Sequence, residues 1–444
     1  MLPQRSESDF IEALTALRHR PLIGGNRLTL LRDGPQTHDA QLAAIAAARH
    51  HVHLETYLLT DGVVGQRYAD ALTERARAGV RVRLMLDGIG ALGAGDDYRQ
   101  RLLDAGVRLR EFNPVNPLRD PRLWRVTRRT HRKTLIVDGR IAFTGGVNIT
   151  DAYRSAAGER VGDDDEPGWR DTHLMIEGPA VAEFQRVFLT YWARLGSLRS
   201  TRGYYPAPSR PGTSLACAIT DQGEGFIDHW VGGAAREVEQ GDDDDDDDDS
   251  DDDRDADDDG ARLPRPRNPL RPKYRIKPRI YHAYRDAISL AQQRVWITQA
   301  YFAPNGRFIR ALCRAARRGV DVRLILPART DATLLKYAAR QRYARLLRAG
   351  VRIHEYQPAV LHAKTAVIDG LWSTVGSANL DYRSFFHNDE ANAFVICPRF
   401  ARQLEAMFED DLQRCTRIHA SAWRRRPWRQ RLLEAFAGAI KWLL

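Results

Sequence analysis

Two stretches of 18 residues constrain this chain more than anything else in it. His131 to Asn148 reads HRKTLIVDGRIAFTGGVN, and His362 to Asn379 reads HAKTAVIDGLWSTVGSAN. Both carry His, then Lys two residues on, Asp, Gly and Asn at identical intervals: His131, Lys133, Asp138, Gly145, Asn148 and His362, Lys364, Asp369, Gly376, Asn379. The apolar, β-branched run between Lys and Asp reads as a buried strand leading into a turn. On a strand, residues two apart face the same way, so each His and its Lys share a face. A titratable imidazole beside a fixed ammonium suits an anionic phosphate.

The duplication extends beyond the motif. ARAGVRVRLMLD matches ARRGVDVRLILP, and LLDAGVRLREFNP matches LLRAGVRIHEYQP. The repeat is therefore a whole half-domain of roughly 170–180 residues, and a chain of 444 residues exceeds one ordinary core. Strands such as VHLETYLL and VWITQAYFAP alternate with helices that stop at Gly79, Gly106, Gly319 and Gly350. That rhythm predicts a layered α/β fold with a mainly parallel sheet. The expected divisions are a lead-in at 1–25, with a helix over 7–19, and a first half at 26–200. A linker at 201–280 carries an acidic disordered insertion over 223–278, the second half continues at 281–415, and a basic amphipathic helix occupies 416–444.

The paired constellation resembles the HKD motifs of the phospholipase D superfamily. That resemblance implies two fused, pseudo-symmetric αβα halves with one active site at their interface. RTHRKTLIVDGRIAFTGGVNITDAY, WRDTHLMIEGPAV, ITQAYFAPN and VGSANLDYRSFFHNDEANA are similar to one branch of it, the bacterial cardiolipin synthases of the short type. The implied reaction moves a phosphatidyl group from one phosphatidylglycerol to another and releases glycerol, through a phosphohistidine and without metal or other cofactor. Phosphodiester transfer needs a nucleophile, an acid for the leaving alkoxide and positive charge for the phosphate oxygens. His131 and His362 fill the first two roles, with family habit favouring His131 as nucleophile. Lys133, Lys364, Asn148, Asn379 and Ser377 are candidates to hold the phosphate. Asp171 and Glu390 lie at matching places downstream, where similar carboxylates orient the histidines of the family; spacing leaves open which serves which. Asp138 and Asp369 read equally as chemical groups or as turn residues. His50, His51, His53 and His173 read as structural.

Charge bears on partners. Residues 242–259 hold 15 Asp and one Arg, so a net charge of +10 leaves +24 on the rest of the chain. A body so basic seeks a polyanion, either an anionic bilayer or nucleic acid, unless arginine is simply the default surface residue. The tethered acidic tract either competes with lipid headgroups at low salt or is a passive insertion. Arginines around Leu123 and Trp124 in the 115–130 segment fit a headgroup-contacting loop or a solvated cationic one. In the C-terminal stretch Leu432, Leu433, Phe436, Ile440 and Leu443 share a helical face, with Glu434 and Lys441 opposite, flanked by Trp423, Trp428 and Trp442. This fits a helix lying in a membrane interface, or one docked on the body. Four scattered cysteines, no apolar leader and no apolar run of about 20 residues predict a peripheral protein at the cytoplasmic face of the membrane. Phosphatidylglycerol and the membrane surface are the expected partners, with no specific nucleic acid. The rival activities are a hydrolytic phospholipase D or nuclease, which would use the same motifs, and a non-enzymatic scaffold, which would not need them.

Overall fold

The Asp-Gly pair inside each motif decides how the sheet is built. In the computed structural model Asp138 and Gly139 have φ of 53° and 63°, and Asp369 and Gly370 have 53° and 65°. Two consecutive left-handed residues make the tight turn whose twist suits an antiparallel hairpin. Accordingly Thr134–Val137 pairs antiparallel with Ile141–Gly145, and Lys364–Ile368 with Trp372–Gly376. The structure describes residues 22–114, 128–161, 166–198, 200–221 and 278–439. The helix expected over 7–19, nearly all of the arginine-rich 115–130 segment and the acidic insertion lie outside the described residues.

A single 15-stranded sheet runs through the molecule. From its centre, Ile23–Arg32 leads outward through Thr172–Glu177, Ile141–Gly145, Thr134–Val137, His51–Thr56 and Arg81–Asp87 to Arg108–Phe112. Its neighbour Ser214–Asp221 leads the other way through Glu390–Ile396, Trp372–Gly376, Lys364–Ile368, Arg294–Gln299 and Asp321–Arg329 to Arg352–Val360 and the edge strand Cys415–Ile418. Apart from that edge strand, which has no counterpart among the described residues, the two series match strand by strand, so the halves are related by a pseudo-twofold axis at the seam. In this sheet the parallel neighbours are His51–Thr56, Arg81–Asp87 and Arg108–Phe112 in the first half and Arg294–Gln299, Asp321–Arg329 and Arg352–Val360 in the second; the hairpins, the seam and the edge strand are antiparallel. The expectation of a mainly parallel sheet is thus corrected: its parallel neighbours are strands upstream of each motif, and each motif strand pairs antiparallel on both sides.

Helices cover both faces. In the first half Asp33–Ala46, Val63–Arg77 and Asp96–Asp104 pack on one face, and Val181–Arg194 buries Phe184, Phe188 and Trp192 on the other. Each such aromatic removed from water contributes about 1.5–3 kcal/mol. The second half repeats this with Arg279–Leu290, Gly306–Arg317 and Thr333–Arg348 opposite Pro398–Gln413. Gly79, Gly106, Gly319 and Gly350 follow their helices with φ of 85–95°, the left-handed caps their positions predicted.

The C-terminal region differs from its prediction. A strand at Cys415–Ile418 and a short helix at Ala420–Arg424 precede the helix Trp428–Ala439, so the second half continues past 415. That last helix lies along Thr333–Arg348 with Glu434, Ala437 and Gly438 inward. Glu434 is not on a water face: it is buried and accepts from Arg426 and Gln430. Trp428, Leu432, Leu433 and Phe436 point out instead, each at least half exposed. Ile440 and Leu443 lie outside the described residues.

Candidate active site

Each motif strand begins at the seam, and there the halves exchange partners. The His131 N–H donates to the Asp389 carbonyl at 2.9 Å, and the His362 N–H to the Arg170 carbonyl at 2.7 Å. These parallel bridges, Thr130 with Asp389 and Arg170 with Leu361, bring the residue after each carbonyl beside the other half's histidine. Those residues are Glu390 and Asp171. The His131 Nδ1–H donates to Glu390 at 3.0 Å, and the His362 Nδ1–H to Asp171 Oδ2 at 2.8 Å. The pairing left open by the sequence is therefore crossed. All four side chains are buried, with His131 the most accessible at 8 %. With Nδ1 committed to a carboxylate, the hydrogen is fixed there and Nε2 keeps its lone pair.

The carboxylates are held differently. Ser377 Oγ donates to Glu390 at 2.5 Å and accepts from the Ala391 N–H, so Ser377 positions a carboxylate rather than facing a phosphate. Position 146, the counterpart of Ser377, is glycine, and a Cβ there would collide with the Asp171 carboxylate. Asp171 takes its hydroxyl from Tyr153, 3.0 Å from Oδ2 and 2.8 Å from His362 Nδ1. Burial pushes both carboxyls up, but the histidines and lysines beside them outweigh it and hold both below the usual range.

Lys133 donates to the His131 carbonyl at 2.6 Å and Lys364 to that of His362. Burial lowers Lys133 to about 7 and Lys364 to about 8, each further depressed or relieved by groups of the other half, so both ammoniums belong to one site. Burial also lowers His131 to about 4, against the pull of Glu390, and lowers His362. These surroundings give two neutral imidazoles and lysines that give up protons near neutrality. A bound phosphate anion favours the protonated forms and raises these values. Binding of inorganic phosphate should therefore take up protons and weaken as pH rises from about 7 to above 8, where the lysines lose their charge; calorimetry in buffers of different ionisation enthalpy reads both effects.

Asn148 and Asn379 are buried at the same seam. Asn148 accepts the Leu58 N–H, while the Asn379 Oδ1 has no partner among the described residues. Asp138 and Asp369 are not part of this cluster. Each stands five residues beyond its lysine, about 16 Å along a strand. The Asp138 carboxylate accepts the N–H groups of Arg49, His50 and His51, and Asp369 those of Gln292, Gln293 and Arg294. Both are turn residues that tie the hairpin to the strand beside it, which corrects their placement among the catalytic candidates.

Several site groups escaped the sequence reading. Tyr57 lies edge-on to His131, its ring centroid 4.9 Å away, and Trp169 and Tyr301 flank His362 at 5.5 and 6.1 Å. Arg132, between His131 and Lys133, points the opposite way into a fully buried pair with Glu55, which also accepts from Thr130. That pair fixes the backbone on both sides of the histidine. Arg170 binds Asp411 and Asp33, and Arg128 binds Asp389, so the residue before each carboxylate is itself latched to the other half. A signal existed for Tyr153: Tyr-Arg-Ser recurs at 153–155 and 382–384, shortly after each motif asparagine. Among the described residues no group of three His, Cys, Asp or Glu side chains is arranged to hold a metal, and no helix is long and apolar enough to cross a membrane.

Comparison with known proteins agrees with this geometry. The family model "Cardiolipin synthase, PLD-like domain" matches residues 42–161 and 284–412. A cardiolipin synthase of Geobacillus kaustophilus is 32% identical over 426 residues, covering 96% of this chain and 74% of that protein. Cardiolipin synthase 2 of Bacillus anthracis is 32% identical over 407 residues, covering 91% of this chain and 68% of its own length. In fold the chain is similar to the phosphatidylserine synthase of Haemophilus influenzae, with a TM-score of 0.66 at 13% identity over 98% of this chain and all of that one. Two matched halves, crossed His–carboxylate pairs and relatives of this closeness along nearly the whole chain make it a member of the cardiolipin synthase family of phospholipase D-like proteins.

Proposed function

We propose that the protein is a phosphatidyltransferase that joins two phosphatidylglycerol molecules into cardiolipin and releases glycerol. The observation that carries this reading is the crossed pair of dyads: two imidazoles, each with Nε2 free, at one seam with two lysines. His131 Nε2 attacks phosphorus, the P–O bond to glycerol breaks, and the departing oxygen takes the Nε2 proton that His362 gained when the phosphate anion bound. The hydroxyl of a second phosphatidylglycerol then gives its proton to His362 and attacks phosphorus, and the P–N bond to His131 breaks. Lys133, Lys364, Asn148 and Asn379 hold the phosphate oxygens as charge shifts onto them. Tyr153 supports the role of His362, because its hydroxyl steadies Asp171 while the ring gains and loses charge. The partner is an anionic phospholipid, met at the cytoplasmic surface of the membrane.

Lipid mass spectrometry of a cardiolipin-free host expressing the chain tests this. Cardiolipin should appear, and the purified protein should release one glycerol per cardiolipin from phosphatidylglycerol. Phosphatidate in its place would make the protein a hydrolase, and an unchanged lipid profile would leave neither activity standing.

A further inference from the structure

The last helix is docked the wrong way round for a packing element. It meets Thr333–Arg348 through Glu434, Ala437 and Gly438, with Ala437 against Ala303 and Ala338 and Gly438 close against Gln341. Its large apolar side chains Leu432, Leu433 and Phe436, with Trp428, are left facing out. A soluble helix buries such a stripe, and an exposed apolar patch of this kind marks a contact surface.

Its location is specific. Ala303 belongs to the two-residue strand Phe302–Ala303, paired with Leu380–Asp381 immediately after Asn379. Tyr301, beside His362, donates to Asp331 at the approach to the Thr333–Arg348 helix. The exposed Leu334 stands in that helix's first turn. The patch therefore runs toward the mouth of the active site.

The first half carries a second exposed apolar patch. The loop over residues 88–95 follows Arg81–Asp87 and packs on the segment after Tyr57, with the Leu59 N–H donating to Gly90 and the Asp61 N–H to Gly93. Tyr57 is the residue edge-on to His131. Leu92 on this loop is 66% exposed, and Ile89 and Val63 stand out beside it. Two apolar lips thus flank one catalytic mouth, one from each half.

We propose that these lips seat the protein mouth-down on an anionic phospholipid bilayer, the C-terminal helix lying in the interface on one side and the 88–95 loop dipping in on the other. This rests on the phospholipid reading of the site and adds the surface and the orientation. The occupant follows from charge. Arg424, Arg425, Arg429 and Arg431 are exposed around the apolar helix face. They complement anionic headgroups, whereas a second copy docked face to face would set the same four arginines against each other. Trp428, among these arginines, has the amphipathic ring that favours the headgroup level.

The test labels the full chain with an environment-sensitive fluorophore at Leu433→Cys, at Leu92→Cys or at Arg317→Cys, near the helix end remote from the mouth. Cys397 and Cys415, the two partly exposed cysteines, are replaced by serine. On adding vesicles of equimolar phosphatidylglycerol and phosphatidylcholine, emission at 433 and 92 should shift to the blue and rise at least about twofold, with no change at 317. Combining Leu92→Glu with Leu432→Glu and Phe436→Glu should weaken vesicle affinity about tenfold or more. A response at 317 equal to the others, at 433 without 92, or blue emission already present without vesicles, as in self-association, would overturn the proposal. Cardiolipin formation is followed in the same samples. Synthesis without any probe response rejects the orientation and leaves the activity; embedded probes with phosphatidate as product reject the activity and leave the orientation.

Discussion

His131→Ala and His362→Ala should each lower kcat by at least about 10²-fold, the usual cost of losing a general acid, base or nucleophile. Neither ring can replace the other, because each is tied to a carboxylate from the opposite half and serves one shared site. Two independent sites would instead leave each variant about half active, which a simple turnover assay distinguishes at once. Both substitutions remove a buried ring whose backbone bridge across the seam remains, so the fold should persist by circular dichroism. A phosphodiester with a good leaving group, such as a p-nitrophenyl ester, separates the two roles. It needs no acid to depart, so His362→Ala should still form a phosphoenzyme while His131→Ala should not. The opposite pattern in a phosphohistidine assay would reverse the two assignments.

Asp171→Asn should lower kcat by about 10²–10⁴-fold with little change in KM, the scale seen when a buried carboxylate that fixes a catalytic imidazole becomes an amide. An asparagine can offer its N–H to His362 Nδ1 and drive the ring hydrogen onto Nε2, where the lone pair is needed. Gly146→Ala should act in the same direction without touching a charged group, since its methyl would displace the Asp171 carboxylate. At the matching position Ser377→Ala should cost only about tenfold, one hydrogen bond to a charged group, because Glu390 would still face His131. Equal losses from Gly146→Ala and Ser377→Ala would contradict the different support of the two carboxylates. The pH profile offers a second check: a purely structural effect of Asp171→Asn would leave its limbs where they are in the wild type.

Much of this was legible because the chain states it twice. Repeated strands, helices and glycine stops revealed two halves, and paired histidines and lysines marked a candidate site that the fold gathers at their seam. The sheet's direction was misread, although Asp138-Gly139 and Asp369-Gly370 carried the answer. An Asp-Gly pair between apolar runs signals a hairpin, and this also demotes the two aspartates from chemistry to turn geometry. The crossing of Asp171 and Glu390 could not be seen, since it depends on which strand ends meet at the seam. Glu55 and Arg132 were hidden for a related reason: a charged residue in a strand looks exposed until its partner on the neighbouring strand is known. Amphipathicity found the apolar stripe of the last helix but not its direction. The inward face there is chosen by close approach of small residues and one buried carboxylate, which a hydrophobicity pattern does not weigh.

The unlike supports of the two dyads bear on why such a protein is one chain. An assembly of two identical half-sized subunits could produce the same crossing, but its symmetry would force both histidines into the same surroundings. Covalent fusion removes that constraint and lets each copy drift. Here one copy has glycine, aspartate and a tyrosine hydroxyl where the other has serine and glutamate. Division of labour between donor and acceptor steps is open to a duplicated gene in a way that it is closed to a homodimer.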